Sequence, residues 1–513
     1  MIAPTPDAGF YSRRVTFLFP VLLLLLLTWP GKGTEAQQDP APYGIVSIRV
    51  TSQSFDAILP WNKNSEDSVQ GNGAVLEGQR LVTTADLVKN ANLLEVRKFG
   101  RYPDYPARAI LIDYDLNLAL LEVDDPEFWQ GLQPLPLADR PVASGAFAIN
   151  RWRAGGRFER ARGEVVDYMV STSPFGLMEF PMMRGTTAMG GLGWGEVLTS
   201  SGRIIGMIAS HGQQNFNAIN SDMIKLLALA EAKSPKSNRE TDSTTASTFS
   251  SYGSSLFAHR GFAWQRLNQT HLRTSLQLGE AKTGILIRRL FPGGTGSKEL
   301  QQGDILHRIN GYDVDPEGRI DHPAYGRLLF SGALNETLNP VLQVEIQRDG
   351  QRLQLELERT RFSELDYRID PPRYDRAKDY EVFGGLVLQE LSLDYLRAWG
   401  KDWREKAPSR LVIEYSLKSL RDKEEKPEKV LIVSRVLPEP SNLGYEDVDN
   451  TIIRQVNGRA VHSLEEFREA IAMPVEGYHL IDLMPGQGRG RLVYSAANVD
   501  ATNARVKERY GIP

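Results

Sequence analysis

The 513-residue sequence contains no cysteine. Disulfides, thiolate catalysis, a cysteine-based zinc site and a lipid anchor on a cysteine are therefore excluded. Histidine is scarce as well, seven in all, and none precedes His211. Any chemistry that needs an imidazole to take a proton and return it cannot be assembled from the chain before that point. Charge of one sign is also lacking. A net charge of −4 provides no basic field for nucleic acid. Only one long apolar run exists, Val15 to Trp29, with six consecutive leucines. It is shorter than the roughly 20 residues needed to cross a bilayer. With Arg13 and Arg14 before it and Thr34-Glu35-Ala36 after it, residues 1–36 read as an export signal cleaved before Gln37, not as a membrane anchor. The leucine-rich core favours the general export route over a twin-arginine one, although Ser12-Arg13-Arg14 faintly resembles the latter. The expected location is the periplasm or cell envelope of a bacterium.

What is present suits several cores: 41% hydrophobic and 24% charged residues over this length predict two to four domains. From 41 to 232 the chain is dense in short alternating runs, among them GIVSIRV, AVLEG, RLVTT, AFAIN and RIIGMIAS. Glycine pairs punctuate them, which predicts strands and turns. The first long amphipathic stretch is Ser221 to Glu231.

Within this region, GNGAVLEGQRLVTTADLV followed by IDYDLNLALLEV, between Gly71 and Val123, resembles the DegP/HtrA family of trypsin-like proteases. That family places a Gly-x-Gly strand before the turn carrying its catalytic His, and an Asp before a Leu-Ala-Leu-Leu strand. The resemblance implies a mainly β fold, a trypsin-like double β-barrel. It puts Asp86 at the His position and Asn117 at the Asp position. The family's nucleophile precedes a Gly-x-Val-Ile-Gly strand, matched here by Gly202-Arg203-Ile204-Ile205-Gly206. Ungapped counting assigns Gly193 to the serine position, and a four-residue insertion assigns Met189; neither carries a nucleophile. Asp86 as a substitute base is disfavoured, because a carboxylate with a pKa near 4 accepts a hydroxyl proton poorly. The catalytic set is thus expected to be empty.

Other constellations have plainer readings. Asp113 and Asp115, with Asp86, could be a carboxylate or metal cluster, but Asp-x-Asp before a strand is turn chemistry, and no metal or cofactor is expected. Trp152, Arg153, Arg157 and Arg160 form a basic-aromatic hairpin that reads as a solvated turn. Thr186, Thr187, Ser200 and Ser201 have no visible base, and His211 reads as a strand-end residue, where the resemblance implies a pocket wall.

Residues 233–255 (KSPKSNRETDSTTASTFSSYGSS) are rich in Ser and Thr and read as a tether. Beyond it a pattern recurs. GDILHRING (303–311) parallels NTIIRQVNG (450–458), and GILIRRLFPGG (284–294) parallels VLIVSRVLPEP (430–440). The two copies resemble tandem PDZ domains, expected at 256–362 and 379–513. In such domains a peptide adds a strand to a sheet edge and backbone N–H groups hold its carboxylate. The matching positions are Gly261, Phe262 and Ala263 in the first copy, where Arg260 replaces the usual apolar residue, and Gly385, Leu386 and Val387 in the second. The second copy and the end-piece LVYSAANVDATNARVKERYGIP resemble the two-PDZ Do-like proteases of plants. Ser495 and Gly511 read as start and stop of a final helix with Ala496, Val499, Asn503 and Val506 on one face. A helix is also expected from Pro408 to Leu420, and the run Arg421 to Lys429 reads as a solvated loop. The resemblance implies peptide or unfolded-protein partners through the PDZ modules, a role in assembly for the second copy, and a homotrimer or mixed oligomer with active relatives. The expected function is an exported, catalytically inactive protease homologue acting as a binding scaffold. An endopeptidase with a non-standard site is the alternative, and a holdase chaperone a third reading.

Overall fold

The computed structural model describes residues 40–513 except 173–177, 234–257, 279–282, 292, 337–338, 361–366, 418–427 and 486–489. The expected export signal and nearly all of the tether lie outside the described residues.

Alternating apolar runs broken by glycine give thirteen strands before residue 221. The first seven are β1 (Ile45–Ser52), β2 (Asp67–Leu76), β3 (Arg80–Thr83), β4 (Ala91–Lys98), β5 (Tyr105–Pro106), β6 (Arg108–Asp113) and β7 (Leu118–Glu122). They lie in the order β5-β4-β1-β2-β3-β7-β6. Only Ala107 separates β5 from β6, yet these strands occupy opposite ends of that order, so one bent segment ties the two edges together. The Ala107 N–H donates to the Leu94 carbonyl at 2.9 Å at the join. The next six are β8 (Gly145–Arg153), β9 (Arg157–Thr172), β10 (Glu179–Thr187), β11 (Val197–Ser200), β12 (Arg203–His211) and β13 (Asn215–Asn220). They close a barrel in the order β10-β13-β12-β11-β8-β9. Ile48, Val50, Leu81, Leu121 and Phe128 fill the first core; Phe147, Ile149, Ile205 and Phe216 fill the second. Helix α1 (Ser221–Lys233) follows, started by Asn220 Oδ1, which accepts from the N–H groups of Asp222 and Met223.

The first repeat builds β14 (Phe262–Gln265), β15 (Ile285–Leu290), β16 (Ile305–Ile309), β17 (Tyr312–Asp313), the hairpin β18 (Arg319–His322) and β19 (Gly326–Leu329), then β20 (Val341–Arg348) and β21 (Gln351–Glu358). The second builds β22 (Glu381–Phe383), β23 (Leu386–Glu390), β24 (Leu431–Val436), β25 (Thr451–Val456), β26 (Arg459–Ala460), β27 (Tyr478–Leu483) and β28 (Arg491–Ser495). The Asn-Gly turns seen in the sequence sit at equivalent places, with positive φ at Asn310, Gly311, Asn457 and Gly458 as a tight hairpin turn requires. Each Asn side chain does the same work. Asn310 Nδ2 donates to Ala333 O and Asn457 Nδ2 to Ala470 O, both at 3.0 Å, while their Oδ1 atoms accept from Gln343 and Leu480 N–H. The repeat is therefore structural, and the expected mainly β, double-barrel plus two-PDZ architecture is what the chain forms.

The following helix differs between the copies. It is α3 (Leu464–Ile471) in the second, but only a 3-10 segment, Phe330–Asn335, in the first. That short segment packs on β10. Three details differ from the sequence reading. The last helix, α4, spans Val499–Tyr510 with Asn498 at its start, because Ser495 ends β28; Gly511 closes it at φ 61° as expected. Its buried residues are Val499, Thr502 and Val506, and Asn503 instead caps the Gly384 N–H at 2.7 Å. The helix expected from Pro408 spans Ser409–Leu417, its expected end lying outside the described residues.

Both modules pack on the barrels. Tyr325 of the first meets Tyr168 with ring centroids 5.1 Å apart, and its hydroxyl donates to Asp222 at 2.8 Å. In the second, Gln389 Nε2 and Ser434 Oγ both donate to Ile58 O in the β1–β2 loop, at 3.0 and 3.2 Å. Trp61 of the same loop rests on Tyr380.

Candidate functional site

Three loops converge at the junction of the barrels. After β3, Thr84 stays extended and the short helix Ala85–Val88 carries Asp86. Asn117 lies in the β6–β7 turn at φ 57°, fully buried. Residues 188–196 link β10 to β11. The fold brings all three together: Asp86 N–H donates to Asn117 Oδ1 at 2.8 Å, and Asp86 Oδ2 accepts from the Trp194 indole N–H at 2.7 Å. Lys89 Nζ pairs with Asp86 Oδ1. Asn117 Nδ2 is buried without a hydrogen-bond partner among the described residues. Gly193 precedes Trp194 in this loop, and a Cβ on it would lie 3.7 Å from Glu196 Oε1. Met189 instead packs, partly buried, against the core of the second barrel.

The loop is held by a buried ion pair that the sequence reading did not single out. Arg151, on β8, donates through Nη1 to Glu196 Oε1 at 2.7 Å and to Gly191 O at 2.6 Å, and through Nη2 to Gly190 O at 3.1 Å. Its Nε donates to Glu159 at 2.8 Å. Glu196 is 1% exposed. Burial pushes its carboxyl above the ordinary range, while hydrogen bonds from Arg151 and from the Gly193 backbone N–H pull the other way. The Gly193 N–H, a donor that a developing oxyanion would need, thus points at an internal carboxylate, and the carbonyls of Gly190 and Gly191 point at a guanidinium. The signal available in the sequence was an arginine inside the apolar run of β8 and a glutamate immediately after GLGWG. Gly195 locks the loop from the other side: at φ 68°, a Cβ here would lie 2.1 Å from Asn72 O.

The remaining candidates fall outside this cluster. Trp152 is buried, its indole N–H donating to Ile45 O at 2.8 Å. Arg153 and Arg157 both pair with Glu159, whose carboxyl is held down to about 2 first by Arg151 and then by Arg153. Arg160 is exposed on β9. Asp113 accepts from Leu116 N–H at 2.9 Å and from Asp115 N–H, the turn role expected of it; burial and then Asp115 push its carboxyl to about 7. Thr187 Oγ1 donates to Arg162 O; Ser201 lies in the β11–β12 turn at positive φ; His211 is exposed at the end of β12. Among the described residues no group of three or more His, Asp or Glu could hold a metal ion. None of their helices is long and apolar enough to cross a membrane.

The two expected peptide-binding stretches sit in different surroundings. In the first copy β14 is an edge strand, but Gly261 N–H donates to Thr295 O at 2.9 Å, so it does not face an incoming carboxylate. A Cβ on Gly261 would strike the Gly294 and Thr295 backbone, which explains the glycine. Arg260 donates to Phe262 O at 3.0 Å and pairs with Glu179 of β10 at 3.0 Å. Phe262 is buried and stacked on Phe330; Ala263 is half-buried. In the second copy both edges of the corresponding strand are already paired. Gly384 and Gly385 turn β22 directly back onto β23, with Val382 opposite Val387 and Phe383 opposite Leu386. Because β24 pairs with the other edge, Leu386 and Val387 have no free edge to offer. Arg468 of α3 grips the added strand through Glu381 at 2.8 Å, and Phe383 meets Phe467 edge to face.

The PDZ-domain family matches residues 369–513. Asp370 bridges to Ser392. Among curated proteins, the chain is 23% identical over 457 residues to the chloroplastic protease Do-like 2 of Arabidopsis thaliana, covering 86% of this chain and 71% of that protein. It is 23% identical over 505 residues to the mitochondrial protease Do-like 4 of the same plant, covering 94% and 88%. Among solved structures, an HtrA-type protease, AlgW with a decapeptide, aligns with a TM-score of 0.43 at 15% identity, covering 65% of this chain and 98% of that one.

Proposed function

Starting from a chain whose homologues are Do-like (DegP/HtrA) proteases and which carries a PDZ domain, we propose a protein that has kept the protease frame without its reaction and works as a binding scaffold. One observation carries this: at the junction where a base and a nucleophile would stand, Asp86 bonds to Trp194 and Gly193 N–H is directed to Glu196. Asp86, Asn117 and Gly193 offer neither a proton acceptor of suitable basicity nor an acyl acceptor. Fold alone does not fix function. The binding role is assigned to the first PDZ module, whose edge strand β14 keeps one side unpaired among the described residues, with an extended polypeptide as partner. The second module, closed by β22, serves as a structural bracket.

Casein hydrolysis, fluorophosphonate labelling and peptide titration test the reading together. We expect no turnover, no label and saturable binding of an extended peptide that Ala263→Pro abolishes. Hydrolysis lost on Asp86→Ala would instead establish a protease, the activity in the names of the Arabidopsis relatives. We also propose export through residues 1–36 to a bacterial envelope; the first residue of the mature protein should be Gln37, and retention of the intact leader in the cytoplasm would refute this.

A further inference from the structure

The unpaired edge of β14 is bordered by arginine. Gly261 directs both its backbone groups to β15 and the loop after it: its N–H donates to Thr295 O at 2.9 Å, and its C=O accepts from Phe291 N–H at 2.7 Å. Alternation along an extended strand therefore turns the N–H and C=O of Phe262 to the unpaired side. Arg260 is folded over that side. Its Nε donates to Phe262 O and its Nη1 to Glu179 Oε2 of β10, both at 3.0 Å. The guanidinium thus occupies the first acceptor that an added strand needs, and a carboxylate of the barrel holds it there. From Ala258 through the short helix α2 (Thr270–Ser275) to Leu278, and again from Thr283 to Lys298, the sequence has no Asp or Glu. Arg266, just past β14, and Arg288, skipped where the register of β15 slips against β14, are both exposed and meet no carboxylate among the described residues. In a chain of net charge −4, this strand edge is basic.

Resting on β14 as the peptide-binding edge, we infer that its partner is an extended polypeptide segment with an acidic side chain at the residue laid beside Phe262, whose carboxylate takes the Arg260 guanidinium over from Glu179. Main-chain bonds to a strand edge accept any sequence, so selection falls to the side chains that meet the border of that edge. An acidic side chain gives the guanidinium a charge-assisted bond in exchange for the one it leaves, and frees Phe262 O for an N–H of the added strand. A neutral segment needs the same carbonyl but offers Arg260 nothing. Glu179, its side chain 32% exposed, is left to water at little cost. Arg266 and Arg288 add an attraction that salt weakens.

The full chain should be titrated by fluorescence anisotropy with labelled Ser/Thr/Val peptides, acetylated and amidated, that carry one central Glu or Gln, and with the Gln peptide bearing a free terminal carboxylate. The Glu peptide is expected to bind about tenfold tighter than the amidated Gln peptide. That advantage should vanish in Arg260→Met and grow in Glu179→Gln, which keeps the side-chain shape and reads the same exchange with the arginine in place; melting temperatures report whether each variant is folded. Equal affinity for the Glu and Gln peptides, both lost in Ala263→Pro, would overturn the acidic preference and leave β14 as the binding edge. An advantage that survives in folded Arg260→Met, or is unchanged in Glu179→Gln, would overturn the role of Arg260. Tighter binding of the free-carboxylate peptide than of the Glu peptide would overturn the acidic side chain as the group recognised. Binding of none of the peptides would overturn the assignment of β14 itself.

Discussion

Arg151 and Glu196 are the residues on which the central loop depends. Removing one partner of a buried ion pair strands the other, so Arg151→Met should destabilise the protein by about 3–5 kcal/mol, and adding Glu196→Leu should recover much of that loss in urea unfolding. The same pair decides the outcome of restoring the catalytic residues. Asp86→His, Asn117→Asp and Gly193→Ser together should yield no measurable casein hydrolysis, because the backbone donor at 193 still faces Glu196 and Arg151 still holds the carbonyls of Gly190 and Gly191. Asp113 gives a pH signature. Its folded pKa of about 7 lies above the unfolded value near 4, so the native state retains a proton that the unfolded state has released between those limits. Stability should fall as pH rises from about 4 to about 7, and Asp113→Asn should flatten that slope in thermal melts. At this scale the sequence displayed which residue types stand at Asp86, Asn117 and Gly193, because each lies beside a recognisable strand. The partners of those residues were hidden, since Trp194 and Asp86 are 108 residues apart in the chain.

At the level of elements, the repeated Asn-Gly turn was legible because a tight turn demands particular residues at adjacent positions. What the asparagine side chain reaches was not, because its partners come from the next helix and strand. Asn457→Ala should cost about 1–2 kcal/mol by leaving a part-buried donor and acceptor unpaired, and Asn310→Ala less, because the Gln343 N–H it serves is exposed to water, a difference measurable in unfolding midpoints. The strand β22 shows the opposite limit. Its three residues carry no periodicity that sequence reasoning could use, and its pairing with β23 follows from the positive φ of Gly384 and Gly385, at 59° and 86°. A Cβ at Gly385 would lie 2.3 Å from Asn442 Nδ2. Ser495 misled for a related reason: a good capping residue also ends strands, and only the register of β28 with β27 decides which role it takes.

For the whole molecule, the order of barrels and modules was visible in composition and repeats, whereas their packing was not, because it rests on single residues scattered through loops. Asp375 is the clearest case. Its carboxylate accepts from Asn90 N–H and the Tyr114 hydroxyl, its own N–H donates to Asn90 Oδ1 at 2.8 Å, and burial pushes its carboxyl upward. It thereby joins the second module to the loops after Asp86 and before Asn117. Asp375→Ala should cost about 2 kcal/mol and accelerate hydrogen exchange in 86–90 and 114–117. Truncation after Lys233 should not release a well-behaved barrel. It would bare Tyr168, Val170 and Trp61, and the fragment should aggregate in sedimentation measurements.

The hairpin that closes the second module has a further effect on how copies of this chain behave when crowded. By ending its sheet in a strand only three residues long, the module leaves too short a template for another molecule to extend. Concentrated solutions of the intact protein should therefore resist fibre growth through this face.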